Sequence, residues 1–452
     1  MAVSNSTKPI LLFVAAAAAG HVTPLLRVAS YHIQKGYDVL FLTGSEFKDQ
    51  VARAGAEWSA LEPLDMEAFA PERLAALDAK MHVEMFAYAF DNVFLTSLPK
   101  RVQQLRQALE MLHQRDPNRE VIIFHEVGAV AVHPFHFGAP LPKGYTTMPK
   151  TICLGINPIM VDSEVTGICG PGFPYDDSPA VKARHLYMTE LFRRFPFRGI
   201  AESHAKKLQE VGCTTWPEYF AMDDFVLTSD LLLQLCGPGF EYPDPTRNPK
   251  IKFAGTLPPQ SLNPTLEYPS WWSDVTDASA AGKKVVFLAQ GTLTYEAEAL
   301  LLPVIRALQN EEDILLVVAI GSRGASLPSD FELPKHTRVI DYFPYDAVLP
   351  YADVFIFNAG YGGASHAIGH GVPIVALGTT GQDKGEVAAR IDFFKLGIAI
   401  RSEKPEIGEI HSTVRKVLDN GDYKKKALEL QKESLDLDPL AMIESQVREL
   451  AH

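Results

Sequence analysis

Cysteine is scarce in this 452-residue chain. The four present, Cys153, Cys169, Cys213 and Cys236, show neither CxxC spacing nor a nearby histidine ladder. That excludes a disulfide framework and a zinc finger, and leaves buried free thiols as the expectation. Cations are in deficit too: 42 lysines and arginines face 55 aspartates and glutamates, for a net charge of −13. Such a surface argues against nucleic acid or an anionic membrane as the main partner. No apolar run approaches the roughly 18–20 residues that a transmembrane segment needs, and no 20–50-residue period marks a repeat array. Lys8 and the apolar run from Pro9 through five alanines imitate a signal peptide. The run leads straight into Gly20-His21-Val22-Thr23-Pro24 and an amphipathic helix, so cleavage there would delete a first strand; the expected location is cytoplasmic. That first turn also lacks GxGxxG, which disfavours a dinucleotide-dependent oxidoreductase.

What is present reads as alternating strand and helix. Ile10–Val14 is an apolar strand and Gly20-His21 a turn. Pro24–Lys35 has helical periodicity and Val39–Leu42 is a second strand. Val121–Phe124 and Thr151–Leu154 repeat the strand signal. Short glycine-rich turns between such units imply a parallel, doubly wound sheet. Two helix-rich regions interrupt this half. One carries Met85, Phe86, Phe90 and Phe94, the other Phe192; core packing and an apolar ligand pocket both remain open for them. A proline-rich passage at 237–272 marks a domain boundary. Beyond it Lys284–Ala289, Ile314–Ile320 and Arg338–Ile340 restart the pattern, and a charged amphipathic stretch closes the chain. Cys-Gly-Pro-Gly-Phe occurs at both 169–173 and 236–240, read as two turn-rich loops because the flanking sequences differ.

The most informative stretch is 339–390. A buried strand, Val354–Phe357, ends in Asn358-Ala359-Gly360-Tyr361-Gly362-Gly363; a helix closed by Gly371 follows, and then a strand over Pro373–Leu377. A strand, a glycine-rich turn and a helix N-terminus form an anion site, with bare N–H groups and the positive helix end facing the ligand.

Tyr342-Phe343-Pro344-x-x-x-Val348-Leu349, the Asn358–Gly363 turn, Gly371-Val372-Pro373 and Asp383-Lys384-x-Glu386 together resemble the nucleotide-sugar signature of the family 1 UDP-glycosyltransferases, in their macrolide-transferase-like branch. The resemblance implies the GT-B fold: two Rossmann-like, doubly wound parallel α/β domains facing across a cleft. Residues 1–236 would form the acceptor domain, 237–272 the linker and 273–430 the nucleotide-sugar domain. A C-terminal helix at 431–452 would pack back on the first domain. It further implies that Tyr342, beside Phe343, stacks on the base and that Gly291-Thr292 converges with Asn358, Gly360, Tyr361, Gly362 and Gly363 on the diphosphate. Asp383 would hold the hexose. Lys384 beside it would meet a carboxylated sugar or face solvent. Where the family has a ribose-binding Glu, His366 stands here; an imidazole still offers one hydrogen bond.

Gly20-His21-x-x-Pro24 is the family pattern for the catalytic histidine, and an imidazole suits general-base work near neutral pH. The family's orienting Asp is absent; Glu126 or His125 stands in its place. The implied activity is inverting, metal-independent O-glycosylation: a hexose, expected to be glucose, moves from a UDP-sugar to a small hydrophobic or phenolic acceptor lined by Met85, Phe86, Phe90, Phe94 and Phe192. The UDP-sugar is a co-substrate, and no cofactor is expected. A noncatalytic binding partner, or an epimerase or hydrolase of the same fold, would be told apart by product analysis.

Overall fold

The computed structural model describes residues 8–69, 73, 82–291, 297–378, 383–402 and 404–451. Seven parallel strands form the first sheet: β1 (Ile10–Val14), β2 (Val39–Thr43), β3 (Glu57–Ala60), β4 (Val121–His125), β5 (Lys150–Gly155), β6 (Leu231–Gln234) and β7 (Ile251–Phe253). Their order is β3-β2-β1-β4-β5-β6-β7. Six more form the second: β8 (Lys284–Ala289), β9 (Ile314–Ala319), β10 (Thr337–Ile340), β11 (Val354–Phe357), β12 (Ile374–Ala376) and β13 (Gly397–Ala399), in the order β10-β9-β8-β11-β12-β13. The central strands are continuous apolar runs because helices cover both faces of a parallel sheet. Phe13 stacks between Phe41 and Phe124 on one face of the first sheet, and Phe355 stacks on Phe287 and Phe357 in the second.

In each sheet the strand order reverses once, between β1 and β4 and between β8 and β11. Loops leaving the carboxyl ends at such a reversal diverge to opposite faces and open a crevice. That puts the segments after β1, β4, β8 and β11 at the cleft; Glu126, Gly291 and Asn358 stand on the loops there, and His21 at the start of the helix that follows β1.

Three sequence expectations change. The proline-rich passage is not all linker, because Ile251–Phe253 pairs in parallel with β6 as an edge strand of the first sheet. Edge positions tolerate neighbouring prolines because one row of N–H groups needs no partner. The chain's last stretch is two helices, Gly421–Leu437 and Pro439–Leu450, because Asp438 turns left-handed (φ 46°) before a proline that cannot continue a helix. Gly20 and His21 lie inside the first turn of a helix over Ala19–Gln34, with Pro24 accommodated near its start. The second of the closing helices buries Ile443 and Val447 against Leu11, Phe13 and Val28 of the first half. All four cysteines are buried and free. Among the described residues no helix is long and apolar enough to cross a membrane.

Candidate active site

His21 projects from the Ala19–Gln34 helix at the cleft and keeps 19% of its side chain exposed. Its Nδ1 lies 2.6 Å from Oε2 of Glu126, which is fully buried. A carboxylate accepts only, so Nδ1 carries the proton and Nε2 is left with its lone pair. Glu126 is fixed by two further donors, Ala16 N–H to Oε1 (2.9 Å) and Gly128 N–H to Oε2 (2.6 Å). Burial would lower the histidine's pKa, but the Glu126 carboxylate outweighs it and holds His21 above its usual value. Burial would likewise raise Glu126; the imidazole and the two N–H donors reverse that and hold it low. His125 points elsewhere, bonding Ser229 Oγ through Nε2 (2.7 Å), and burial pushes it down to about 4. Of the two residues left open by sequence, Glu126 is the one that meets His21.

A cavity of about 360 Å³ lies between the halves. The first helix lines it with Gly20, Thr23 and Arg27, and the second half with Gly291, Tyr342, Phe343, Gly362, Gly363 and His366. The Tyr361–His370 helix runs along the cavity wall, lining it from its first residue to its last, and the N–H groups of its first turn have no partner within the helix. Asn358 Nδ2 donates to the Gln290 carbonyl at 2.6 Å, tying the loop after β11 to the loop after β8. Ala359, next after Asn358, takes φ 58°, a strained conformation for a residue with a Cβ, and Gly360 then precedes the helix in extended geometry. Tyr361 is buried, and its hydroxyl is met by Gln234 Nε2 of the first half at 2.8 Å. Its ring therefore forms the wall, and its hydroxyl a contact between halves.

Tyr342 is 40% exposed, with the Arg323 guanidinium 4.6 Å from its ring centre. Phe343 is buried against Trp272. His366 Nδ1 and His370 Nε2 both lie against Asp346 Oδ1, at 3.0 and 2.9 Å. Burial opposes ionisation of Asp346, yet these two partners hold it well below the usual carboxylate range. Asp383 stands at the N-cap position of the Lys384–Phe393 helix without a capping bond from its side chain; its Oδ2 instead accepts from Asn157 Nδ2 across the cleft at 2.7 Å. Burial raises its pKa, partly offset by Asn157 and the nearby His21; burial lowers that of Lys384. Thr292 lies outside the described residues.

The aromatic candidates separate. Phe86, Phe90 and Phe192 are buried in the first half's core, Phe90 packing on Phe220 and Phe225, so they do not line the cavity. Met85 is half-buried. Phe94, on a π-helical turn over Phe90–Leu95, faces His21 at 5.9 Å between ring centres. Sequence reasoning missed Asn157, Asp346 and His370. Asp346 lay inside a quoted motif, but nothing in its spacing announced two imidazole partners 20 and 24 residues on.

Residues 307–446 match the family described as erythromycin biosynthesis protein CIII-like, C-terminal domain. The glycosyltransferase of kitacinnamycin superposes with a TM-score of 0.70 at 17% identity, covering 99% of this chain and all of that one. Two parallel-sheet domains with a nucleotide-sized cleft between them therefore define a GT-B fold. UDP-glucosyltransferase 1 of Beauveria bassiana is 34% identical over 97% of this chain and 94% of its own length. UDP-glucosyltransferase B1 of Starmerella bombicola is 32% identical over 98% and 99%. The chain belongs to the family 1 UDP-glycosyltransferases, on their macrolide-type branch. It is a UDP-dependent glycosyltransferase, with a nucleotide sugar and a small-molecule acceptor as its substrates.

Proposed function

We propose that the enzyme transfers glucose from UDP-glucose, with inversion, to a hydroxyl of a small hydrophobic or phenolic acceptor, with His21 as general base. The His21–Glu126 pair carries the reading. A base must present a lone pair toward the reacting hydroxyl, and the buried carboxylate on Nδ1 leaves Nε2 free for that role. His21 Nε2 takes the proton as the acceptor oxygen bonds to the anomeric carbon. The bond to the UDP oxygen breaks on the opposite face, so one displacement turns an α-linked donor into a β-glycoside. Charge growing on the diphosphate meets the N-terminal N–H groups of the Tyr361–His370 helix and Gly291, and this mechanism needs no metal. Tyr342 stacks on the base and Asp383 accepts from hexose hydroxyls. His366, turned by Asp346, offers Nε2 to the ribose. Phe94 beside His21 supports a lipophilic or aromatic alcohol as acceptor, and two relatives named UDP-glucosyltransferase support glucose as the sugar.

The test measures UDP release from UDP-glucose with a panel of hydrophobic phenols and alcohols, His21→Ala beside wild type, and the anomeric configuration of the product by NMR. Acceptor-dependent release that yields a β-glycoside and is lost in the variant is expected. Release without acceptor, equal in both proteins, would mean hydrolysis with another base; UDP binding without any release would point to a noncatalytic role.

A further inference from the structure

Neither copy of Cys-Gly-Pro-Gly-Phe lines the cavity. The first belongs to the first half and turns two backbone N–H groups onto a glutamate of the second; the other lies between β6 and β7, packs Cys236 and Phe240 into the second half's core, and turns one N–H onto Glu433. Gly170 and Gly172 donate to Glu386 Oε1 at 3.0 and 2.9 Å. Gly239 donates to Glu433 Oε2 at 3.0 Å. Convergent N–H groups in a tight turn make a concave anion site, filled at Gly170 and Gly172 by the Glu386 carboxylate of the other half. At Gly172 glycine is required by contact as well: its φ is 65° and a Cβ there would lie 2.5 Å from the Gly385 backbone.

The first socket continues into a buried charge cluster. Glu386 Oε2 accepts from Arg390 Nη1 at 3.2 Å, and Arg390 Nη2 lies 2.8 Å from Glu241 Oε2 of the first half. Arg390 is 2% exposed, with the Tyr242 ring 4.6 Å away. Glu241's other oxygen accepts the Ile159 N–H at 2.9 Å. Desolvating three charges is costly, and apolar side chains of the same volume would join two faces as well. Directional bonds from a guanidinium to two carboxylates add registry: they permit one seating of the Lys384–Phe393 helix. Asp383 stands at the N-cap position of that helix and its side chain bonds Asn157 of the first half.

We infer that Glu386 and Arg390 are positioning residues for the donor sugar. Socketed in the first half, they set the register of Asp383, so the grip on the hexose is assembled only in the closed cleft. The diphosphate grip, built from Gly291 and the Tyr361–His370 helix of the second half, persists when the cleft opens. UDP-glucose therefore docks by its nucleotide first, and its sugar is held on closure. This rests on the reading that Asp383 holds the sugar.

The experiment compares wild type with Glu386→Gln, Arg390→Lys and Glu433→Gln in the full-length protein. It reads the Kd of UDP by calorimetry, kcat/KM for UDP-glucose with an acceptor that supports release, and the melting temperature. Glu386→Gln is expected to lower kcat/KM by about 100-fold, the scale of an ångström's misplacement, while the Kd of UDP stays at its wild-type value. Glu433→Gln, on a helix that carries no sugar group, should leave both values unchanged. Should Glu386→Gln fail to fold, Arg390→Lys keeps the charge, loses the two-pronged geometry and reads the same contrast. Equal weakening of UDP and UDP-glucose, wild-type kinetics in Glu386→Gln, or equal losses in Glu433→Gln would each overturn the inference. Asp383→Asn separates the two readings: if it spares UDP-glucose turnover, the sugar assignment itself fails, whereas an impaired Asp383→Asn beside an unimpaired Glu386→Gln rejects only the positioning role.

Discussion

Glu126 receives three donors, and each of them constrains what can replace it. Gln offers one acceptor oxygen and turns its amide N–H₂ toward at least one of the Ala16 N–H, the Gly128 N–H and the His21 ring. Leaving a buried donor unmet costs about 1–3 kcal/mol, so Glu126→Gln should unfold at lower denaturant than wild type. Its kinetics carry a separate signature. Wild-type His21 titrates above its usual value, and a base must be neutral, so kcat/KM should fall as pH drops through a value above 6.5. Without the carboxylate, burial dominates and the acid limb should move to lower pH, with the maximal rate reduced by about 10²–10⁴-fold, the usual worth of general-base catalysis. A limb that stays in place would remove Glu126 from the pair. Stability obeys the opposite sign for each partner. The raised His21 contributes below its unfolded value and loses that as pH rises through its folded one. The depressed Glu126 contributes above its unfolded value and loses that as pH falls through its folded one. At this scale the sequence was legible where a side chain follows a strand end at a switch point, as Glu126 does after β4. It was silent on Asn157, whose role exists only because the other half brings Asp383 to it.

Among elements, the Tyr361–His370 helix makes the sharpest test, because two adjacent glycines differ in what surrounds them. A Cβ on Gly362 meets nothing within 4 Å, whereas one on Gly363 would lie 2.6 Å from the Phe357 ring. Ala is the better helix former by up to about 1 kcal/mol. Gly362→Ala should thus melt at or above the wild-type temperature while its methyl intrudes on the cavity, weakening UDP by about tenfold, or about 1.4 kcal/mol. Gly363→Ala should melt lower. Calorimetric UDP titration beside thermal melts checks both. This helix and its strand were readable because apolar run, glycine turn and helical stretch coincide. Strand β7 was not. It has three residues among prolines, and its pairing with β6 comes from tertiary context, which local pattern does not contain. The edge strand β3, half-exposed Glu57–Ala60, escaped for the same reason.

Across the whole molecule, the halves are less separable than their two sheets suggest. Ile443 and Val447, on the last helix, are fully buried among first-half side chains. Ile443→Ala should therefore destabilise by about 2–5 kcal/mol, and urea unfolding followed by a probe in the first half should show it. An unchanged midpoint would mean that the last helix contributes nothing there. The fold class was legible from strand–helix alternation. The closing helix's break was passed over, although Pro439 inside a helical pattern marks a stop at the preceding residue.

That return has a mechanical consequence. The backbone passes between the halves twice, and the two passages touch: a Cβ on Gly255 would lie 3.1 Å from both Leu437 and Pro439, and Thr256 N–H meets Ser434 Oγ at 3.3 Å. Two straps fastened side by side let a book open and forbid its covers from sliding or twisting apart. Left-handed Gly255 (φ 92°) and Asp438 (φ 46°) lie where the two straps meet, and an opening of the cleft is expected to turn about that one line.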